Sequence, residues 1–358
     1  MCSMSRIKSS RAAFALSIAC FLLILPRGMT PRAGQQGLVI DKFFKETVGL
    51  DSGQIDSVHR GKAVTTSLDS HNPDQVFIFG AIYIDAAPES YLKVANDFDA
   101  MRKLPGYLAV QKFSNPPRLS DLAGFSIDAD DLKEIKNCKP GNCEVQLPSE
   151  SMDQFRKSVN WNAPDAASQA NRLAQQMTID AVLAYQKGGN AALGIYRDKD
   201  HPTRVSDTFQ SLLGRLEALP VYLPELSRFL LEYPVELPNA QSEFYWEKVD
   251  FGLKPTVRVV QQITYHGASP VGSADAVALK QLYASHYFQT ALDLTVCVKD
   301  VARPGERGFH LITIKASQQA GLTGLKGSIV RSSAVGKTRS ALERTLTAIK
   351  QRLEANPR

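Results

Sequence analysis

The spacing of apolar residues changes twice along the 358-residue chain. Residues 76–84, VFIFGAIYI, are a run of β-branched and aromatic side chains, which is typical of a buried strand. The following DAAPES places Pro88 in the first turn of a helix and Glu89 at its positive end, so a helix is predicted to about Arg102. From residue 149 to residue 234 apolar positions recur at helical spacing, which predicts a block of amphipathic helices.

After Ser242 the apolar spacing returns to the two-residue period of strands. Five segments separated by turn-forming residues predict consecutive strands: SEFYWEKV, PTVRVVQQITY, AVALKQLYASHYF, ALDLTVCV and GFHLITIKA. GSIV, at residues 327–330, predicts a last strand, with Gly336 in the turn to an amphipathic terminal helix. Strands and helices are segregated, which favours an α+β fold: a curved antiparallel sheet gripping a long C-terminal helix, with an inserted helical block.

Residues 1–33 have the composition of a targeting segment. Arg6, Lys8 and Arg11 precede a 14-residue apolar run from Ala12 to Leu25. The run is short for a membrane span, and no clear small-x-small cleavage site follows it. We interpret the segment as a signal peptide or an N-terminal anchor. The protein is therefore expected to be exported, periplasmic or membrane-anchored, with its main domain outside the cytoplasm.

The rest of the chain is predicted to form one main domain. Residues 34–75 are interpreted as an N-terminal extension, and residues 76–358 as an α+β domain. A mainly helical insertion at about 149–238 interrupts that domain.

The cysteines outside the leader support export. Cys138 and Cys143 stand in NCKPGNC, where Lys-Pro-Gly-Asn suits a type II turn. A metal site would need two further ligands, and the sequence has no second Cys pair or HxxxH motif. We therefore predict a disulfide, and interpret Cys297, in the apolar run LTVCV, as a buried free thiol.

Charge gives no indication of nucleic acid binding. The formal net charge is +6, and five of the basic residues lie in residues 1–33. The rest of the chain has 37 basic and 36 acidic residues, so its charges nearly cancel. Residues 326–358 carry eight Lys or Arg and two Glu. This basic segment is either a solvated helix face or a surface that meets anionic lipid headgroups.

RSSAVGKT, residues 331–338, resembles a phosphate-binding loop but lacks its first glycine, since Arg331 stands there. Only twenty residues follow Thr338, too few for the sheet that a nucleotide site requires. No nucleotide is therefore expected. GxGxxG, GxSxG and HExxH are also missing, so neither a cofactor nor a metal is predicted.

The segment AVALKQLYASHYFQTAL is the best indication of a cavity. If it forms one strand, a cationic and a titratable side chain share a face with apolar residues, as in a pocket that orients a hydrophobic molecule. The predicted ligand-binding residues of this face are Lys280, Leu282, His286 and Phe288. Phe244 and Trp246 add two aromatic rings from the neighbouring strand. The alternative is a packed core, with His286 hydrogen-bonded inside it and Lys280 at the sheet rim.

Two stretches resemble the START-like helix-grip superfamily, which includes polyketide cyclase and dehydrase relatives and lipid-transport domains. FGAIYIDAAPESYLKVANDFDAM is similar to the opening strand and short helices of that family, and the strands from Phe244 to Ala316 with the closing helix are similar to its C-terminal part. The resemblance implies an apolar cavity between the sheet and the C-terminal helix. The helical insertion and NCKPGNC depart from the family pattern.

These observations give three hypotheses for function. The first is an exported or envelope-associated protein that binds a lipid or other hydrophobic small molecule in that cavity. The second is a structural or partner-binding envelope protein with a packed core and no enzymatic activity. The third is a cyclase-like or dehydrase-like enzyme that uses His286, with Tyr283 or Lys280, as acid/base groups.

Overall fold

The computed structural model describes residues 40–355, apart from 71, 105, 251–253, 270–271, 300–307, 320 and 323. Their main feature is an eight-stranded antiparallel sheet with the order β1-β2-β10-β9-β8-β7-β6-β3. Its strands are β1 (Val64–Leu68), β2 (Gln75–Ile84), β3 (Tyr107–Lys112), β6 (Ala240–Val249), β7 (Thr256–Ser269), β8 (Gly272–Ala284), β9 (Phe288–Lys299) and β10 (Phe309–Gln319). A separate two-stranded hairpin consists of β4 (Ile195–Tyr196) and β5 (Thr203–Arg204).

Helices precede, interrupt and close this series of strands. The N-terminal helices are α1 (Phe43–Val48, a π-helix) and α2 (Ser52–His59), and α3 (Pro88–Ala95) and α4 (Phe98–Met101) follow β2. Between β3 and β6 lie α5 (Ala129–Asn137), α6 (Ser149–Ser158), α7 (Ala166–Gly188), α8 (Val205–Gly214), α9 (Ala218–Tyr222) and α10 (Pro224–Glu232). The chain closes with α11 (Gly324–Ala355). The α+β architecture, with an antiparallel sheet and a long C-terminal helix packed against it, is confirmed.

The two faces of the sheet are covered by different helices. One face contributes Phe77, Ile263 and Leu292 to a core that includes residues of α8, α9 and α10. The opposite face contributes Ile78 and Leu311 to a core that includes residues of α3 and α11. Because successive strand residues point to opposite faces, both faces must be apolar along the central strands.

The C-terminal helix begins earlier than the sequence predicted. GSIV, residues 327–330, lies inside α11 and is not a strand, and Gly336 lies within the helix instead of in a turn. An apolar stretch of four residues fits a strand or a helix equally well, and here length decides, because the helix runs without interruption for 32 residues. The register of α11 places Leu342, Leu346 and Leu353 in the core, as an amphipathic terminal helix requires.

Close contact between α11 and β2 depends on Gly80. A Cβ atom at residue 80 would lie 2.7 Å from Leu342 Cδ2 and 2.9 Å from Leu346 Cδ1. The two leucines therefore occupy the space that any other residue at this strand position would fill. Because Gly80 has no side chain, α11 packs directly against the backbone of β2.

The N-terminal segment is held to the sheet by a chain of polar side chains. His59 Nε2 donates to Asp41 Oδ1 at 2.8 Å, and His59 Nδ1 lies 3.1 Å from His310 Nε2 on β10. The direction of the hydrogen bond between the two rings depends on their tautomers. Phe44 is buried beside this chain and packs edge-to-face on Phe79 and His310. The sequence assigned no role to either histidine.

The predicted disulfide between Cys138 and Cys143 is present, with Cα atoms 4.8 Å apart. Gly141 has φ of 85°, as the third position of a type II turn requires, and Lys139 pairs with Asn142 across the turn. Both half-cystines are buried in a small core with residues of α5 and α6. Cys297 is a buried free cysteine, as predicted.

We predict that replacing Cys138 and Cys143 by Ala lowers the free energy of unfolding by about 2 kcal/mol, because the closed loop restrains the unfolded chain. Urea denaturation of the wild type, with and without reductant, measures this. Reductant is expected to destabilise the wild type by a similar amount and to leave the double variant unchanged. Equal stability of the oxidised wild type and the double variant would contradict the prediction.

We also predict that Gly80→Ala lowers the free energy of unfolding by about 1–3 kcal/mol, because the added methyl group overpacks against α11. Combined with Leu342→Val, the loss should be smaller than the sum of the two single losses. Gly214→Ala is the matched control, since a Cβ there would meet no atom within 4 Å. Denaturation of the four variants tests the coupling, and strict additivity would refute contact between residue 80 and the helix.

Candidate ligand-binding cavity

The chain turns between the residues that the sequence placed on one strand. β8 ends at Ala284 and β9 begins at Phe288, so His286 lies in the connecting turn. Tyr287 adopts a positive φ of 63°, which reverses the chain there. The prediction that Lys280, Leu282, His286 and Phe288 share one strand face is therefore wrong.

His286 is fixed by two acceptors. Its Nε2 lies 2.8 Å from Asp131 Oδ2 on α5, and its Nδ1 lies 3.1 Å from the Glu144 carbonyl oxygen. Both partners are acceptors, so a ring nitrogen of His286 that carries a proton donates to the partner it faces. With 4% of its surface exposed, His286 joins the turn to α5 and to the segment after Cys143. Neither ring nitrogen points to solvent or to a cavity.

Gln146 strengthens the same junction. Its backbone N–H donates to the Ser285 carbonyl at 2.8 Å, and its side-chain amide donates to the Ala284 carbonyl at the same distance. Lys254 adds a cation 3.7 Å from Asp131 Oδ1. The turn between β8 and β9 is thus held in place by the segment that follows the disulfide.

Lys280 lies in the core and not at the sheet rim. Its side chain has no exposed surface, and its Nζ lies 4.1 Å from the ring centre of Phe209 and 5.2 Å from that of Tyr185. Nζ also donates to Asn190 Oδ1 and, at 3.4 Å, to the Leu230 carbonyl. Burial lowers the pKa of Lys280 well below its usual value.

The aromatic residues that the sequence singled out pack against other side chains. Phe244 and Trp246 belong to one buried cluster with Leu282, and the Trp246 indole N–H donates to the Asp121 carbonyl at 2.8 Å. Phe288, at the start of β9, lies under the Arg258 guanidinium, 5.9 Å from its carbon to the ring centre. The six predicted ligand-binding residues therefore do not converge on one site.

A cavity of about 300 Å³ lies beside the cluster that contains Leu282, between the sheet and α5, α6 and α7. We call it the α7 cavity, because α7 supplies much of its wall. Its apolar lining comes from these elements and from β7 and β8: Ile135, Val145, Leu147, Phe155, Ala174, Met177, Ala181, Val182, Leu193, Val257, Val259 and Leu282. Of the predicted ligand-binding residues, Leu282 lines this cavity.

The polar lining of the α7 cavity is organised in pairs. Lys248 Nζ lies 2.5 Å from Asp128 Oδ1 and also donates to the Ser126 carbonyl at 3.2 Å. Asp131 carries the bond to His286. Each charge thus has a partner within the protein, which leaves the apolar surface to contact a ligand.

Three tyrosines complete the wall. Burial raises the pKa of Tyr185, Tyr196 and Tyr283, so each phenol keeps its proton at neutral pH. Tyr185 uses its hydroxyl to donate to Gln261 at 2.8 Å. A protonated phenol can donate a hydrogen bond but cannot act as a phenolate base.

The helical spacing of apolar residues predicted the helix that forms much of this wall, but it did not predict a cavity beside that helix. Met177, Ala181 and Tyr185 recur at helical spacing along α7, and a ligand-lining stripe has the same period as a packed one. Asp128 and Asp131 stood out in no motif. Their proximity to Lys248 and His286 depends on contacts 120 and 155 residues apart in sequence.

The cavity lining does not suggest a metal centre. Among the residues that the structure describes, no group of three or more His, Cys, Asp and Glu side chains could hold a metal ion. In the same part of the chain, no helix combines the length and apolar character needed to cross a bilayer.

We predict that the stability difference between the wild type and Lys280→Met changes with pH. A lysine with a lowered pKa in the folded state binds fewer protons folded than unfolded, so wild-type stability should rise with pH up to the unfolded value near 10.4. The slope relative to Lys280→Met should approach about 1.4 kcal/mol per pH unit within that window. Urea denaturation at pH 7, 8, 9 and 10 tests this, and a pH-independent difference would mean that the buried lysine stays charged.

Comparison with known proteins gives no relative: no protein-family model, no curated protein and no solved structure matches this chain.

Proposed function

We propose that this protein binds a lipid or other hydrophobic small molecule, and that the α7 cavity holds it. The observation that carries the proposal is an apolar cavity of about 300 Å³ whose polar groups are few and paired. This volume lies at the lower end of the range for small-molecule sites, which are mostly apolar with a few orienting groups. The ligand would be compact, such as a sterol-like, aromatic or short-chain molecule.

The polar side of the cavity favours a ligand with one polar group. The Tyr283 hydroxyl and the Lys248–Asp128 pair line the same cavity as Val182, Val257 and Leu282. A hydroxyl or carbonyl group could exchange hydrogen bonds with this side while the rest of the molecule contacts the apolar wall. A charged group without a partner would lose hydration and gain no counter-charge.

The order of elements supports the START-like resemblance as part of this proposal. A strand (β2) leads through two short helices (α3 and α4) to an edge strand (β3), and a continuous antiparallel series ends in α11. The helices between β3 and β6 form the insertion that departs from the family. The α7 cavity lies under that insertion, on the sheet face opposite α11, and the proposed ligand position differs accordingly from the one that the resemblance implies.

Export remains part of the proposal, and the disulfide supports it, since such bonds persist in oxidising compartments. The basic C-terminal segment gives little support for contact with an anionic membrane, because several of its cations have partners within the protein. Arg331 and Arg339 donate to backbone carbonyls, and Arg352 pairs with Asp97. Lys337 and Arg344 are exposed and could still meet lipid headgroups.

The test is to extract ligand from protein purified from its own envelope and to compare two variants of α7. Ala174→Phe fills the cavity from its wall, whereas Ala184→Phe adds the same side chain at an exposed position of the same helix. Native mass spectrometry is expected to find a bound hydrophobic molecule in the wild type and in Ala184→Phe. Ala174→Phe should reduce the bound fraction at least tenfold, because the ring occupies the ligand volume.

Circular dichroism and thermal unfolding establish that both variants fold. Wild-type protein that carries no ligand and binds none from a membrane lipid extract would rule out the proposal. Equal ligand content in the two folded variants would place the ligand outside the α7 cavity.

A further inference from the structure

A second, larger cavity lies on the same face of the sheet. It measures about 480 Å³ and has strands β8, β9 and β10 as its floor. The floor is entirely apolar: Ala274, Leu294, Val296, Val298, Ile312 and Ile314. We call it the α9 cavity, because α9 and the residues just before it form one wall. This floor offers a continuous surface for a hydrocarbon chain.

The wall opposite α9 is the N-terminal segment. Phe43 of α1 and Tyr222 of α9 both line the cavity, and their rings meet edge-to-face with centres 5.5 Å apart. Phe44 and the hydrogen bonds from Asp41 through His59 to His310 fix α1 to the sheet behind this contact. The two walls thus touch through one aromatic pair above the apolar floor.

Arg215 gives the α9 cavity a cationic end. It is the only basic residue among the described lining residues. Its Nε is buried and makes no hydrogen bond in the described part of the chain. The nearest carboxylate, Glu217, is 3.7 Å from Nη1 and 81% exposed, so this ion pair is weak and screened by water. Arg215 lines the cavity with a side chain that is 26% exposed, and its guanidinium therefore retains donor capacity.

We infer that the α9 cavity binds an amphiphile with a single aliphatic chain and a carboxylate head. The chain lies along the sheet floor beneath Phe43 and Tyr222, and the carboxylate accepts hydrogen bonds from the Arg215 guanidinium. The inference does not rest on a ligand in the α7 cavity.

The cavity lining carries three carboxylates and one cation, and the cation is the least exposed of the four. Glu46, Asp69 and Glu217 line the cavity at exposed positions, where water screens their repulsion. Arg215 is less exposed, at 26% of its side chain, so its attraction is screened less. A cationic head would have to displace water from the carboxylates at the rim while facing the partly buried guanidinium.

The probes are dodecanoate and dodecan-1-ol, which share a chain length and differ in the charge of the head. Isothermal titration calorimetry on the full chain, purified without lipid, is expected to detect dodecanoate binding at one site. Arg215→Met should weaken dodecanoate binding about tenfold to a hundredfold and leave dodecan-1-ol binding unchanged. Arg215→Lys keeps the charge and should weaken dodecanoate binding less. Arg228→Met, on α10 and outside the cavity lining, should have no effect.

Filling variants separate this cavity from the other one. Ala218→Phe, from the α9 wall, and Ser67→Trp, from an exposed position on β1, should each abolish binding of both probes. Ala174→Phe, which fills the α7 cavity, should leave both unchanged. Folding of each variant is verified by circular dichroism, and two filling variants from different elements keep the test valid if one fails to fold.

Several results would overturn the inference. Dodecanoate binding that survives both folded filling variants, or that is lost in Ala174→Phe, would place the chain elsewhere. Equal weakening of acid and alcohol by Arg215→Met would remove the head-group assignment. A folded wild type that binds no dodecanoate would remove the site altogether. Loss of binding in Ala174→Phe would place dodecanoate in the α7 cavity, whereas the other results leave the proposal for that cavity untouched.

Discussion

Burial of strand β2 on both faces is the constraint on which the rest of the structure depends. All ten of its residues, Gln75–Ile84, are buried. On one face, Leu342 and Leu346 of α11 pack against the backbone at Gly80. On the other face, Phe79 packs against the N-terminal segment. Antiparallel sheets often leave one face to solvent, but this strand cannot, because its residues 76–84 are apolar or glycine on both faces. Both the terminal helix and the N-terminal helices are therefore needed to cover it.

The two faces are covered in different ways, and the cavities follow from this difference. On the α11 side, one continuous helix of 32 residues closes onto the strand backbone at Gly80. On the other side the cover is divided among several helices, which include α7 of 23 residues and α8 and α10 of ten and nine. Both described cavities lie on the side that several helices cover.

The sequence predicted the sheet better than it predicted the site, for a physical reason. The strand segments from SEFYWEKV to GFHLITIKA have a two-residue period that survives in the fold, because each pairs with its neighbour in sequence. The prediction of a strand at GSIV was wrong because four apolar residues are too few to distinguish the period of a strand from that of a helix. The prediction that His286 lies on a strand was wrong because the strand ends before Tyr287, which has a positive φ. The segment ASHYF contains no Gly or Pro that would indicate a turn.

Lys280 illustrates a different limit. The sequence predicted Lys280 on a strand beside apolar residues, as a ligand-binding residue or at the sheet rim, but its partners come from α8, α7 and the end of α10. Such contacts arise from the docking of the inserted helices, which a single sequence does not specify. The Lys248–Asp128 pair and the Arg215 guanidinium, which define the polar ends of the two cavities, were missed for the same reason.

The disulfide loop links the α7 cavity to the redox state of its surroundings. Val145 and Leu147, just after Cys143, line the cavity, while the Glu144 carbonyl and Gln146 hold the turn that carries Ser285 and His286. The Cys138–Cys143 bond thus restrains the segment that contains Val145 and Leu147 and holds the turn between β8 and β9. In a reducing compartment this corner of the molecule would lose its restraint while the sheet stayed intact. Formation of the bond would therefore precede the final shape of the α7 cavity, wherever the chain is oxidised.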